Sequence, residues 1–251
     1  MSMISILNDL FEISKVGKDW LFPPSLLIYN EGWLLRAVLQ LWASSRENKG
    51  LSFSCPKEAA LFSEAQLRTP FYKAPLKETH THVDGLVGDF TIRRDGTKSG
   101  INIKQDFKLL AVFEAKMYSG LAQGTTKIEN YSQVSRTIAC MINELLTLKK
   151  PLAESCSIYY VVLYPKDSTK IRQPEQKYTK DNIKKEIACR LKDYEVSHSI
   201  LEQFNAEWER LLNLIKIEFK TWEEIIKQIN QAELETFYRN CVKYGGKEKG
   251  D

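Results

Sequence analysis

The chain has 251 residues, 43% of them hydrophobic, with 36 Lys and Arg against 32 Asp and Glu and a formal net charge of +4. That is enough apolar material for a full core in one elaborated domain over 1–251, and a charge so near balance excludes nucleic-acid binding through a strongly basic tail. No apolar run approaches the roughly 18 residues of a membrane span, no signal-peptide pattern opens the chain, and five cysteines, odd in number and without a C-x-x-C pair, fit a reduced, cytoplasmic protein.

In chain order, positions 1–79 read as a helical and then irregular N-terminal part. Met1–Asn48 is largely helical in pattern, broken at Phe22-Pro23-Pro24, where proline forbids a continuous helix. Asn30 is an N-cap candidate ahead of Glu31, and Leu34, Leu35, Val38, Leu39 and Trp42 fall on one side of the helix that follows. Gly50–Thr79 carries prolines at 56, 70 and 75 and reads as an irregular wrap. Positions 80–165 read as the core. Leu86–Arg93 with Val87, Phe90 and Ile92 predicts a strand, Arg94-Asp95-Gly96-Thr97 a tight hairpin turn, and Ile101 and Ile103 the returning strand.

The apolar run Leu109-Leu110-Ala111-Val112-Phe113 predicts a buried strand, and Lys127–Leu148 an amphipathic helix. Ser157–Tyr164 is the strongest strand signal in the chain. Lys166–Thr179 reads as a polar loop and 181–243 as a helical elaboration, in which Thr221-Trp222-Glu223-Glu224 spells a capping box. Strand, helix, strand in this order predicts an α/β fold with a central mixed sheet flanked by helices and extra helices at both ends.

Chemistry concentrates where the buried strand ends. Glu114 and Lys116 lie two apart, so they share a face roughly 6–7 Å apart at Cα, while Ala115 points into the core. The Ala115 carbonyl lies in the strand plane and is a further candidate metal ligand. Two charges after a run apolar on both faces mark a site, because burying them without partners is costly. Asp84, in Asp84-Gly85-Leu86-Val87-Gly88, is brought beside Glu114 by the expected meander. Asp89 lies five residues on and alternation turns it the other way. Glu-x-Lys is otherwise an ordinary solvated strand end; the apolar strand before it and the upstream Asp-Gly weigh against that.

Asp84-Gly85-Leu86-Val87-Gly88 followed by Phe113-Glu114-Ala115-Lys116 resembles the PD-(D/E)XK nuclease superfamily, of restriction-endonuclease-like fold. The Asp-Gly-Leu-Val-Gly wording is most similar to the phage-lambda-type alkaline exonucleases. Tyr131-Ser132-Gln133-Val134 resembles the Tyr/Gln motif that follows the strand in many members, and Val83 stands where a proline is usual. The resemblance covers about Ser63–Tyr164. It implies a metal-dependent nuclease that hydrolyses DNA phosphodiester bonds. Asp84, Glu114 and the Ala115 carbonyl would hold Mg²⁺, with Mn²⁺ able to substitute. Lys116 would orient or deprotonate the attacking water, and Gln133 would hold the Lys116 or water geometry. Many members add a glutamate from an early helix, and Glu31 and Glu64 compete for that role, Glu31 being preferred. A first-turn carboxylate is also what the helix dipole favours. The rival from another class is a catalytically silent module of the same fold that binds nucleic acid or protein.

Other features have more ordinary readings beside their functional ones. His80 and His82 with Asp84 tempt a zinc reading, but the only other histidine is His198; His82 is expected to line the cleft or pack beneath the aspartate. Arg93, Arg94, Lys98, Lys104 and Lys108 form a candidate DNA patch that equally describes a solvated hairpin. Phe204, Trp208, Leu211, Leu212, Ile215 and Phe219 make a broad helical stripe. It is expected to pack on its own domain, and it also offers a surface for a homo-oligomer.

Overall fold

Burial on both faces is what makes the middle of the sheet. In a computed structural model, which describes residues 29–72, 78–93, 99–124, 130–153, 155–192 and 199–244, β5 (Leu109–Ala115) is buried at every position and β6 (Ser157–Tyr164) at all but its two ends. Around them are β1 (Ala60–Leu67), β2 (Thr81–Gly88) and β7 (Ile215–Thr221), in the order β1-β2-β5-β6-β7. β2 runs antiparallel to β1 and β5; β6 runs parallel to β5 and β7. β3 (Phe90–Ile92) and β4 (Ile101–Ile103) form a separate two-stranded ribbon.

Helices cover both faces. One core collects α1 (Glu31–Ser45), α6 (Trp222–Ile229) and α7 (Ala232–Tyr244) against Ala111, Phe113, Tyr159 and Val161. The other collects α2 (Gln133–Leu145), α4 (Lys180–Lys192) and α5 (Ser199–Leu214) against Leu110, Val112, Tyr160 and Val162. A single turn, α3 (Pro174–Lys177), lies between β6 and α4. The expected α/β architecture, a mixed central sheet with flanking helices, is therefore present. Among the described residues no helix is long and apolar enough to cross a membrane.

Local chemistry explains several boundaries. Asn30 caps α1 by accepting from Trp33 N (3.0 Å). Thr221 and Glu224 form the reciprocal capping box that starts α6. α2 begins later than its periodicity predicts: Ser132 accepts from Ser135 N (3.2 Å) and caps it, so Tyr131 precedes the helix, and Ile128 lies outside the described residues.

Three expectations are corrected. Gly50–Thr79 is not irregular throughout, because it contains β1. The Leu86–Arg93 strand is two pieces, β2 starting as early as Thr81 and β3 taking Phe90–Ile92. The 181–243 segment is not helical throughout, because β7 interrupts it at Ile215. Its Ile215-Lys216-Ile217-Glu218-Phe219-Lys220 alternates as a half-buried strand should, and charges suit its place at the sheet edge. Phe204, Trp208, Leu211, Leu212 and Ile215 are buried in the chain's own core, so the stripe packs internally; Phe219 sits half-buried on β7.

Both glycines of the Asp-Gly-Leu-Val-Gly segment have steric work. A Cβ on Gly85 would sit 2.9 Å from Leu39 Cδ1 and 3.0 Å from Leu35 Cδ2, so its absence lets α1 lie close on the sheet. Gly88 has φ +150°, and a Cβ there would meet the Leu109 carbonyl oxygen at 2.1 Å. Gly88→Ala is expected to destabilise more than Gly85→Ala. The latter should cost about 1–3 kcal/mol because leucine termini can yield whereas a strand carbonyl cannot. Urea denaturation should show the ranking as lower midpoints.

Candidate functional site

The site forms where β5 reaches the end of the sheet. Glu114 is 2% exposed although it is an acid. Its Oε1 takes an ion pair from Lys116 Nζ (2.5 Å) and a hydrogen bond from Gln133 Nε2 (2.5 Å). Gln133 reaches it because the Ser132 cap places it in the first turn of α2, above that face of the sheet. Its bond goes to Glu114 rather than to Lys116.

Asp84 arrives through the antiparallel pairing of β2 with β5. The register ends at Gly85↔Phe113, so the next residues, Asp84 and Glu114, stand opposite each other where the backbone ladder stops. Beyond it, Asp84 Oδ2 accepts from Ala115 N (2.7 Å). In a strand the N–H and C=O of one residue face the same neighbour. The Ala115 carbonyl therefore lies on the Asp84 side as well.

Two further side chains pin the same stretch. Glu31, the first residue of α1, accepts from Met117 N through Oε2 (2.7 Å). Trp222, the first residue of α6, donates from Nε1 to the Lys116 carbonyl (2.8 Å), and Lys116 N donates to Leu163 O (2.8 Å). Ala115, Lys116 and Met117 are thus held by side chains from β2, α6 and α1. Of the two competing glutamates, Glu31 is the helix-borne one. Glu64 lies on β1.

Glu64 nevertheless belongs to the neighbourhood. It has φ +57°, a left-handed conformation costly for a residue with a Cβ. The β1–β2 register runs through Ser63↔Gly85 and Ala65↔Val83 but omits Glu64 and Asp84. Both strands also change phase there. Phe62 and Ala65 pack into the same core, as do Val83 and Leu86, although the members of each pair are three positions apart and alternation would turn them to opposite faces. Arg36 of α1 donates to Ser63 Oγ (3.0 Å), approaches Glu64 Oε1 at 3.7 Å and lies over the Trp33 ring at 5.0 Å. Arg36 and Trp222 carried no signal in the sequence: each is joined to the site only through tertiary contact.

Burial and mutual repulsion set the electrostatics. Burial, reinforced by Asp84, pushes the Glu114 carboxyl up to about 7, against the opposing pull of Lys116 and Gln133. Burial likewise raises Asp84 and Glu31, although each accepts a main-chain hydrogen bond and feels Lys116. For Lys116 burial alone would lower the value, but Glu114, Asp84 and Glu31 outweigh it and hold the ammonium above its ordinary range. Lys116 is therefore a retained cation among acids.

The remaining expected residues separate. Arg93 is buried, donates to the Ile101 carbonyl (3.4 Å) and lies 3.9 Å from Glu144, so it is a core residue and not part of a DNA-facing patch. Arg94 and Lys98 lie outside the described residues. Lys104 and Lys108 are exposed. His82 is also exposed, with its Nε2 3.5 Å from Gln66 Nε2, and does not pack beneath Asp84. Asp89 accepts from Lys108 N (2.8 Å) and Leu109 N (3.3 Å), which ties the start of β5.

Among the described residues no group of three or more His, Cys, Asp or Glu side chains is arranged to hold a metal. An ion at this site would rest on Asp84, Glu114, the Ala115 carbonyl and water. That sparse set of oxygens is one Mg²⁺ accepts, since it keeps several waters and takes one or two carboxylates. Comparison of the chain with protein-family models, with curated proteins and with solved structures gives no match.

The raised Glu114 value carries a stability signature. Where the folded value exceeds the ordinary one, the contribution is fully present below about 4.5 and is lost as pH rises through about 7. Stability of the metal-free protein should fall across that window and level off above it. Asp84 and Glu31 add in the same sense. Glu114→Gln should flatten the slope, measured as urea midpoints from about pH 5 to about pH 8.

Proposed function

We propose that the chain is a Mg²⁺-dependent deoxyribonuclease of restriction-endonuclease-like fold, hydrolysing phosphodiester bonds at Asp84, Glu114 and Lys116. The observation that carries the reading is the meeting of those three side chains at the end of β5, with Gln133 on Glu114 and Glu31 on the next main-chain amide. The resemblance of both motifs to PD-(D/E)XK nucleases agrees with it, as does a mixed sheet whose β5 and β6 are joined through α2.

Asp84, Glu114 and the Ala115 carbonyl would hold the ion, which supplies neutralisation of phosphate charge and acidification of a bound water. Lys116 contributes as a cation. Held protonated by the surrounding acids, it suits positioning the attacking water and offsetting charge on the transition state, and it is poorly suited to act as the base. Gln133 fixes the Glu114 carboxylate by occupying Oε1 beside Lys116, so that Oε2 lies outside both bonds. Glu31 and Trp222 keep the Lys116 main chain in register with Asp84, and a small misplacement there would be costly in rate.

A silent binding module of the same fold is the second reading. Its supporting observation is that Asp84 and Glu31 each already spend an oxygen on the main chain of this stretch. The two readings part in a cleavage assay on linear, circular and single-stranded DNA with Mg²⁺ or Mn²⁺. Wild-type protein should degrade DNA only with metal, and circular substrate separates endonuclease from exonuclease action. Lys116→Ala should lower kcat by about 10²–10³ with little change in KM. Asp84→Asn and Glu114→Ala should abolish cleavage while leaving the far-ultraviolet spectrum intact. Full activity in Asp84→Asn and Lys116→Ala would sink the nuclease reading.

A further inference from the structure

We infer that Trp33, Arg36 and Tyr118 form a binding subsite for a single-stranded stretch of nucleic acid next to the scissile phosphate, an inference that rests on the nuclease reading. Asp84 opens into a cleft of about 440 Å³ whose walls include Glu31, Trp33, Arg36, Glu64 and Tyr118. That volume lies within the on-the-order-of 300–1,000 Å³ typical of clefts for one small ligand, which is room for a nucleotide-sized group. An unpaired nucleotide entering this cleft would lie beside Asp84.

The walls suit such an occupant. Tyr118 lines the cleft, is 37% exposed, and has its hydroxyl anchored at the carbonyls of Cys241 (2.6 Å) and Val242 (2.7 Å), which fixes the ring. Trp33 also lines the cleft, half-buried, on the first turn of α1. Unpaired bases stack on such rings whatever their sequence. Arg36 is the only cation among the described side chains that line this cleft, where Glu31, Glu64 and Asp84 would otherwise repel a polyanion. Its guanidinium is oriented by the Trp33 ring, Ser63 Oγ and Glu64. The Glu64 contact, at 3.7 Å and partly exposed to solvent, is weak enough for a phosphate to replace. A second depression of about 410 Å³ shares Met117 and Tyr118 with the first; Lys170 and Arg239 line it together with Asp167 and Glu223, so its charges balance and the cation that favours a strand remains Arg36.

The test measures binding apart from cleavage, on the full chain without added metal. Fluorescence anisotropy would compare a labelled oligothymidylate, a blunt duplex, and the same duplex bearing a single-stranded tail. The single strand and the tailed duplex should bind about tenfold or more tighter than the blunt duplex. Trp33→Ala and Arg36→Ala should each weaken single-strand binding about tenfold, with Trp33→Phe retaining it. Arg36→Ala should also reduce the slope of log K against log salt by about one. Glu64→Gln should tighten binding, by releasing Arg36 and removing a negative charge. Thermal melts would confirm that the variants fold.

Equal binding of blunt duplex and single strand overturns the subsite, as does unchanged affinity in folded Trp33→Ala and Arg36→Ala. Metal-dependent cleavage that persists with unaltered KM in those variants leaves the nuclease reading standing while the subsite falls. A wild-type protein that neither binds nor cleaves any DNA overturns both.

Discussion

The arrangement of the site depends on the antiparallel pairing of β2 with β5 and on where that pairing stops. Its ladder closes at Gly85↔Phe113, and the following Ala115 amide is satisfied by the Asp84 carboxylate instead of by a backbone carbonyl. A buried strand amide must find an acceptor. By giving it a side chain, the fold places Asp84 against the strand that bears Glu114 and Lys116. Gly85 and Gly88 permit the pairing, one by letting Leu35 and Leu39 of α1 approach and the other by clearing the Leu109 carbonyl. Removing either clearance would shift β2 against β5, and with it the Asp84–Glu114 separation.

Charge burial is the second constraint, and the fold answers it in two ways. Away from the site, buried acids are neutralised by arginine. Arg68 binds Glu144 through both its amide (2.7 Å) and its guanidinium, and Arg190 meets Glu78 at 3.0 Å. At the site Glu114, Asp84 and Glu31 share the single cation Lys116 instead of having an arginine each, and burial raises all three, as it also raises Glu78 against the pull of Arg190. Acids left short of positive charge in this way are unfavourable for stability and useful for binding a cation or a group that carries one.

Strain gathers beside the same residues. Glu64 takes a left-handed conformation opposite Asp84, and both strands reverse the phase of their side chains across that point while keeping register. The reversal lets Ala65 and Val83, before and after it, enter the same core as Phe62 and Leu86. It leaves the intervening acids facing the cleft end of the sheet. Backbone strain held in place by packing on both sides is common where function sets the geometry.

Much of this was legible in residue order because it rests on local chemistry. The Asn30 cap, the Thr221–Glu224 capping box and the doubly buried strands β5 and β6 follow from side chains a few positions apart. So does the nomination of Asp84, Glu114 and Lys116, where an apolar run turns abruptly to charge. β7 was also written in its alternation, but helical stretches on both sides hid it. What only the tertiary structure decided depends on contacts between distant segments. Arg93 looks like a surface cation in its hairpin and is buried because Glu144 and the Ile101 carbonyl receive it. Trp222 meets the Lys116 carbonyl across 106 positions, and Arg36 reaches Ser63 across 27. No periodicity encodes such partners, because each is created by packing one layer of the fold against another.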